Sequence, residues 1–251
     1  YYDYWDSPGW ESDNSLIDGG CAYGTYHDRI VIVQNSNLVE GPYCFGDCSE
    51  TCYSEPPIEY SLVWHDEFEI DGALDPSKWH HQTELPNGYS WYNGELQHYT
   101  DREQNSYVSD GTLKIVAKRE TYTDQGHTKE FTSARLNSKY AFTYGKVEVR
   151  AKLPEGVGTW PAIWMLGQNI NEPGAYWQIQ GYGTTGWPFC GEIDIMEHWG
   201  GNQNYVQSAI HTPSSYGGTI NHGGQYISNA TNGFNIYSLE WTDEQMIFSV
   251  N

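Results

Sequence analysis

Gly191-Glu192-Ile193-Asp194-Ile195-Met196-Glu197-His198 sets three carboxylates within six residues of a run that otherwise reads as strand. Side chains alternate faces along a strand, so Glu192 and Asp194 share one side while Ile193 and Ile195 line the other. Glu197 falls at the opposite parity. A β-bulge near Ile195-Met196 would absorb one residue, re-aim the side chains beyond it and bring all three acids to one face.

Acidic residues on a strand ordinarily form a solvated face. Here the alternate positions are apolar, which points to a central strand, and the flanking sequence is crowded with Trp and Tyr. Like charges held close push carboxylate pKa values apart. An ionised carboxylate beside a protonated one is the pair that retaining glycoside hydrolysis uses.

The rest of the chain bounds the class. Its 251 residues hold one large β domain or two smaller ones. Aromatic residues make up 16%, including 11 Trp and 21 Tyr, which suits platforms for sugar rings or the filling of a β-sandwich. A formal charge of −21, from 33 acidic against 12 basic residues, argues against nucleic acid or an anionic membrane as partner. It also favours a neutral polysaccharide over a sulfated one. No run of 18 apolar residues occurs, so no membrane-spanning helix is expected.

Four of the five cysteines, Cys21, Cys44, Cys48 and Cys52, lie near the start, and Cys190 precedes the acid strand. CxxC pairs and clustered His of zinc modules are absent, so disulfides in a secreted protein are expected, with Cys190 the odd thiol. Residues 1–57 are rich in Gly, Asp, Tyr and Cys and end at Pro56-Pro57, a stiff linker. They read as an accessory segment or the tail of a preceding module, whose clear strand signal is Arg29–Val33. Residues 58–251 read as the catalytic domain, with short strands at close spacing and no long helical period. Lys146–Leu153 alternates without a fault. The expected fold is all-β, an antiparallel β-sandwich of jelly-roll type. Because Asn251 comes directly after the strand-like Met246–Val250, further strands are expected beyond it.

Several ordered blocks resemble glycoside hydrolase family 16. Besides the acid signature they are Leu62–Phe68, Tyr92–Thr100, Ser133–Leu136, Gly145–Lys152, Trp160–Gly167 and Ala209–His211. The resemblance implies a concanavalin A-like sandwich. With Met196 read as the bulged variant and the aromatic loops Gly174–Trp177 and Gly186–Pro188, it leans toward bacterial laminarinases. It therefore implies a secreted, monomeric endo-β-1,3-glucanase, with mixed 1,3/1,4-glucans as further substrates.

Carried over by motif, Glu192 is the nucleophile, Glu197 the general acid/base and Asp194 the assisting residue. Asn93 and Arg135 match substrate-binding positions. Trp160 and Trp164 are expected to stack on glucose, and His211 to contact the acid cluster or serve the fold. The resemblance also implies a structural calcium on the convex side, while catalysis needs no cofactor. Two rival readings share this fold: a hydrolase of another polysaccharide such as agarose, and a non-catalytic β-glucan-binding protein. The intact acids speak against the second.

Overall fold

The computed structural model describes residues 23–35 and 60–251. Fifteen strands and one short helix run in this order: β1 Tyr23–Asn35, β2 Tyr60–Asp66, β3 Trp79–His81, β4 Gln97–Tyr99, β5 Ser106–Ser109, β6 Thr112–Asp124, β7 His127–Ser133, β8 Leu136–Ser138, β9 Gly145–Lys152, β10 Ala162–Leu166, α1 Tyr176–Ile179, β11 Glu192–His198, β12 Tyr205–His211, β13 His222–Tyr226, β14 Asn235–Trp241 and β15 Met246–Val250. A nine-stranded sheet runs β15-β14-β9-β1-β6-β7-β4, with β2 paired to β1 and β5 to β6. A four-stranded sheet, β10-β11-β12-β13, carries the acid strand at an inner position. Pairing is antiparallel except between β4 and β7.

Two-residue periodicity builds the core. In β9 Gly145, Val147, Val149 and Ala151 are buried while the residues between them are only partly covered. Its partner β14 buries Tyr237 and Leu239 completely. Against these pack Ile195, Met196 and Val206 from the four-stranded sheet, so one apolar layer joins the two sheets. Burial of such side chains is worth about 1.5–3 kcal/mol each. A second cluster of Phe68, Leu74, Trp79, Val108 and Leu113 closes one end.

One expectation is revised. The strand signal of the segment 1–57 belongs to β1, which lies in the large sheet rather than in a separate unit. β1 pairs with β9 on one side, and with β6 and then β2 on the other. Its Ile32 is 5% exposed within the main core. The physical reason is the continuous β-branched run Ile30–Val33, which is apolar on both faces and so suits an inner strand of a sheet. The rest of that segment, with Cys21, Cys44, Cys48 and Cys52, lies outside the described residues, as does the Pro56-Pro57 linker.

Candidate active site

The bulge forms where the parity argument requires it. Asp194 pairs with Ala209 and Glu197 with Gln207, so three steps along β11 match two along β12. The same slip appears against β10, where Met196 faces Ile163 and Asp194 faces Trp164. Ile195 and Met196 are consequently both buried in the core, and Glu197 returns to the face of Asp194. A bulge frees ladder groups, and the Ile195 carbonyl accepts a hydrogen bond from Ser208 Oγ at 2.9 Å. The strand is pinned at both ends: His198 N–H donates to the Pro161 carbonyl and Gly167 N–H to that of Gly191. Gly167 is required for this approach, since a Cβ there would lie 2.1 Å from the Cys190 carbonyl oxygen.

The three acids differ in surroundings. Asp194 and Glu197 are 4% and 5% exposed. Glu192 is more open, its side chain retaining 18% exposure. Burial, then the charges of Asp194 and Glu192, raise Glu197 to about 8, against a hydrogen bond from Trp160. That bond runs from Trp160 Nε1 to Glu197 Oε1 at 3.1 Å. Burial raises Asp194 to about 7. Glu192 is lifted to about 7 by burial and Asp194, while His211, Trp187 and Arg135 favour its charged form. All three carboxyls are thus raised above their ordinary range, with burial the leading cause in each.

The other expected residues are distributed around this strand. His211, opposite Glu192 in the ladder, sets Nε2 3.1 Å from Asp194 Oδ2 and 3.9 Å from Glu192 Oε1. It therefore contacts the acid cluster, and the ring of Trp187 covers it at 5.9 Å. Trp164 stands on β10 beside Asp194, whereas Trp160 precedes that strand and stacks on Trp199 at 6.4 Å between centroids. Asn93 is exposed at the cleft, in a left-handed turn (φ 55°) shared with Gly94.

Arg135 lines the same cleft. Its guanidinium lies between the rings of Trp91 and Trp164, at 5.0 and 4.7 Å. It donates to Glu172 at 2.7 Å and to Gln82 at 3.1 Å, and the Arg135 side chain is only 10% exposed. Gln82 also donates to Glu172, closing the network. Sequence reasoning missed Glu172 and Gln82. They come from irregular segments far apart in the chain, so no periodicity marks them. Trp187 and Tyr216, which meet edge to face at 5.4 Å, extend the aromatic wall. Only Trp187 had a signal, in its Trp-rich loop. Cys190 is a free thiol, and burial raises its pKa.

Among the described residues, Glu192, Asp194 and His211 bring ligand atoms within 4.8 Å of one another. Three donors on the acid-bearing face fall short of the six to eight oxygens calcium takes. They do not fit the expected convex-side calcium.

Three buried or half-buried carboxyls gathered on the cleft face of a jelly-roll sandwich are equipment found among the glycoside hydrolases. Within that class the chain belongs to glycosyl hydrolases family 16, whose model matches residues 93–251. It is 41% identical over 204 residues to a beta-glucanase of Rhodothermus marinus, covering 79% of this chain and 65% of that protein. Against glucan endo-1,3-beta-glucosidase A1 of Niallia circulans the identity is 34%, over 76% of this chain and 28% of that protein. The chain thus spans less than two thirds of these relatives. Among solved structures, LamAcat of Zobellia galactanivorans is 53% identical with a TM-score of 0.69, over 76% of each chain. A LamA variant of the same species, in complex with laminaritriose and laminaritetraose, superposes with a TM-score of 0.70 at 53% identity, over 75% of this chain and 76% of that one.

Proposed function

We propose that this chain is a secreted, retaining endo-hydrolase of β-1,3-glucosidic bonds in laminarin-type glucans, extending to mixed 1,3/1,4-glucans. The observation that carries the reading is the bulge at Ile195-Met196, which gathers Glu192, Asp194 and Glu197 on one face. The similarity to a laminarinase crystallised with laminarin oligosaccharides supports the substrate class. A polysaccharide substrate too large for uptake supports action outside the cell.

Glu192 is the nucleophile in this reading. It is the most open of the three acids and has His211, Trp187 and Arg135 favouring its ionised form. Its carboxylate attacks the anomeric carbon while Glu197, whose pKa is raised by burial and by the charges of Asp194 and Glu192, protonates the departing glycosidic oxygen. The glycosyl-enzyme ester forms and the glycosidic C–O bond breaks. Glu197, now ionised, takes a proton from water, and the resulting hydroxide attacks the same carbon and releases Glu192. Two inversions give net retention. Asp194 lies between the two glutamates on the same face, and its charge raises both of them. Both proton transfers and the nucleophile come from this chain's carboxyls, so the steps require no cofactor.

Trp164, stacked on Arg135, and Trp160 supply apolar faces suited to uncharged sugar rings. Asn93 at the cleft supplies a hydrogen-bonding side chain. Product analysis on laminarin, lichenan and agarose tests the substrate, with laminarin turned over fastest. NMR of the first-formed product tests the mechanism: the β anomer is expected, and early α anomer would rule out double displacement. Faster cleavage of agarose would replace the glucan by a galactan and leave the mechanism standing.

A further inference from the structure

We propose that Glu192, Asp194 and His211 form a binding site for a zinc-type divalent transition ion, and that the ion competes with substrate. The competition rests on the proposed role of Glu192; the site itself does not.

The geometry comes first. His211 Nε2 lies 3.1 Å from Asp194 Oδ2 and 3.9 Å from Glu192 Oε1. A tetrahedral ion with bonds of about 2.0–2.2 Å holds its ligand atoms roughly 3.3–3.6 Å apart, and the three donor atoms already lie within 4.8 Å of one another. Asp194, 4% exposed, leaves Oδ2 buried with no hydrogen-bond partner. The 3.1 Å approach of His211 Nε2 is an ion-pair contact without hydrogen-bond geometry. A buried carboxylate oxygen without a hydrogen bond is costly, and a cation held between it, His211 and Glu192 would satisfy it.

The donor set selects the ion. One imidazole and two carboxylates suit zinc and its neighbours, with a water from the cleft as fourth ligand. Glu192 is open enough to admit it. The site also lacks a feature of tightly held zinc. A ligating histidine usually donates its other N–H to a partner, and His211 Nδ1 is buried without one. The ion is accordingly reversibly bound and inhibitory rather than structural. Bound there, it ties up the Glu192 carboxylate and occupies the space in which the anomeric carbon must approach.

Calorimetric titration of the chelator-dialysed full chain with zinc chloride tests the proposal, comparing wild type with His211→Ala and Glu192→Gln. Each variant is expected to bind one ion fewer than the wild type, whatever other sites the chain has. Glu192→Gln preserves side-chain size, which guards against misfolding of the histidine variant. In wild type, the apparent KM for laminarin should rise with free zinc while kcat is unchanged. Equal stoichiometry in all three proteins would overturn the site, and a fall in kcat at constant KM would overturn the competition. If the variants lose one ion but wild type cleaves no laminarin, the site stands and the proposed function falls.

Discussion

Strands β9 and β11 lie in opposing sheets of one sandwich and obey different rules. β9 alternates buried and half-covered residues along its whole length. In β11 the five residues Asp194–His198 are all buried, with a register slip in the middle. The first strand only has to cover a core, and period two is enough. The second must present three acids to a cleft while still giving Ile195 and Met196 to the core, which no regular strand can do. Breaking a local rule at a functional strand costs stability that regular strands such as β9 supply.

Five substitutions test this contrast. The largest effect is expected on β11. Glu192→Ala should lose laminarin cleavage to below detection, and formate or azide should restore turnover with an α-linked product from azide. Glu197→Gln should lose about 10²–10⁴-fold on laminarin, yet still form the glycosyl-enzyme from aryl glycosides with very good leaving groups. Identical behaviour of the two variants would mean that the acids do not divide their roles.

The structural strands should show the opposite pattern. Leu239, fully buried on β14 against β9, should cost about 2–5 kcal/mol when cut to Ala. Denaturant unfolding should report that loss, while kcat of the folded fraction stays at the wild-type level. A large fall in kcat would show that the two sheets are not separable in this way.

The acid cluster should also make stability pH-dependent. Glu192 and Glu197 are raised from 4.5, and Asp194 from 3.8, to about 7, 8 and 7 respectively. Between the unfolded and folded values the native state binds more protons, so stability falls as pH rises. The contribution is full below about pH 4 and is lost on passing through pH 7 to 8. Asp194→Asn removes one buried charge and should flatten this loss, seen as a smaller difference in Tm between pH 5 and pH 8. An unchanged difference would mean that these groups do not govern the pH dependence.

The smallest effect concerns Trp160. Trp160→Phe keeps a ring against Trp199 but removes the N–H bound to Glu197. A loss of about 0.5–1.5 kcal/mol is expected. That donor favours the ionised form of Glu197, so without it the alkaline limb of kcat/KM should move up from near 8. An unmoved limb would show that Trp160 acts only as a platform.

Parity alone located the bulge, because a glutamate five residues from its partner has no other way back to the same face. The strands Lys146–Leu153 and Met246–Val250 were legible in the sequence and appear within a residue of those limits. Strands β3, β5, β7, β10 and β13 were not. β3 has three residues, β5 four, and β10 is a mixed apolar and aromatic run without alternation. β13 is exposed at every position. Contact of His211 with the acids was legible as one of two options, since a strand neighbour can face the cleft or the core.

By itself, then, the sequence determined the all-β class, the acid strand with its bulge and the family resemblance, all of which rest on neighbours in the chain. Tertiary structure alone decided the rest: that Arg135 is held between two indoles and Glu172, that Trp160 turns its N–H to Glu197, and that β1 joins the large sheet. The carboxylates that Arg135 and Trp160 meet each lie 37 residues further along the chain, and the place of β1 depends on its register with β9. Such pairings are fixed by which apolar faces can be covered together, a property of the whole packed sandwich that local spacing does not encode.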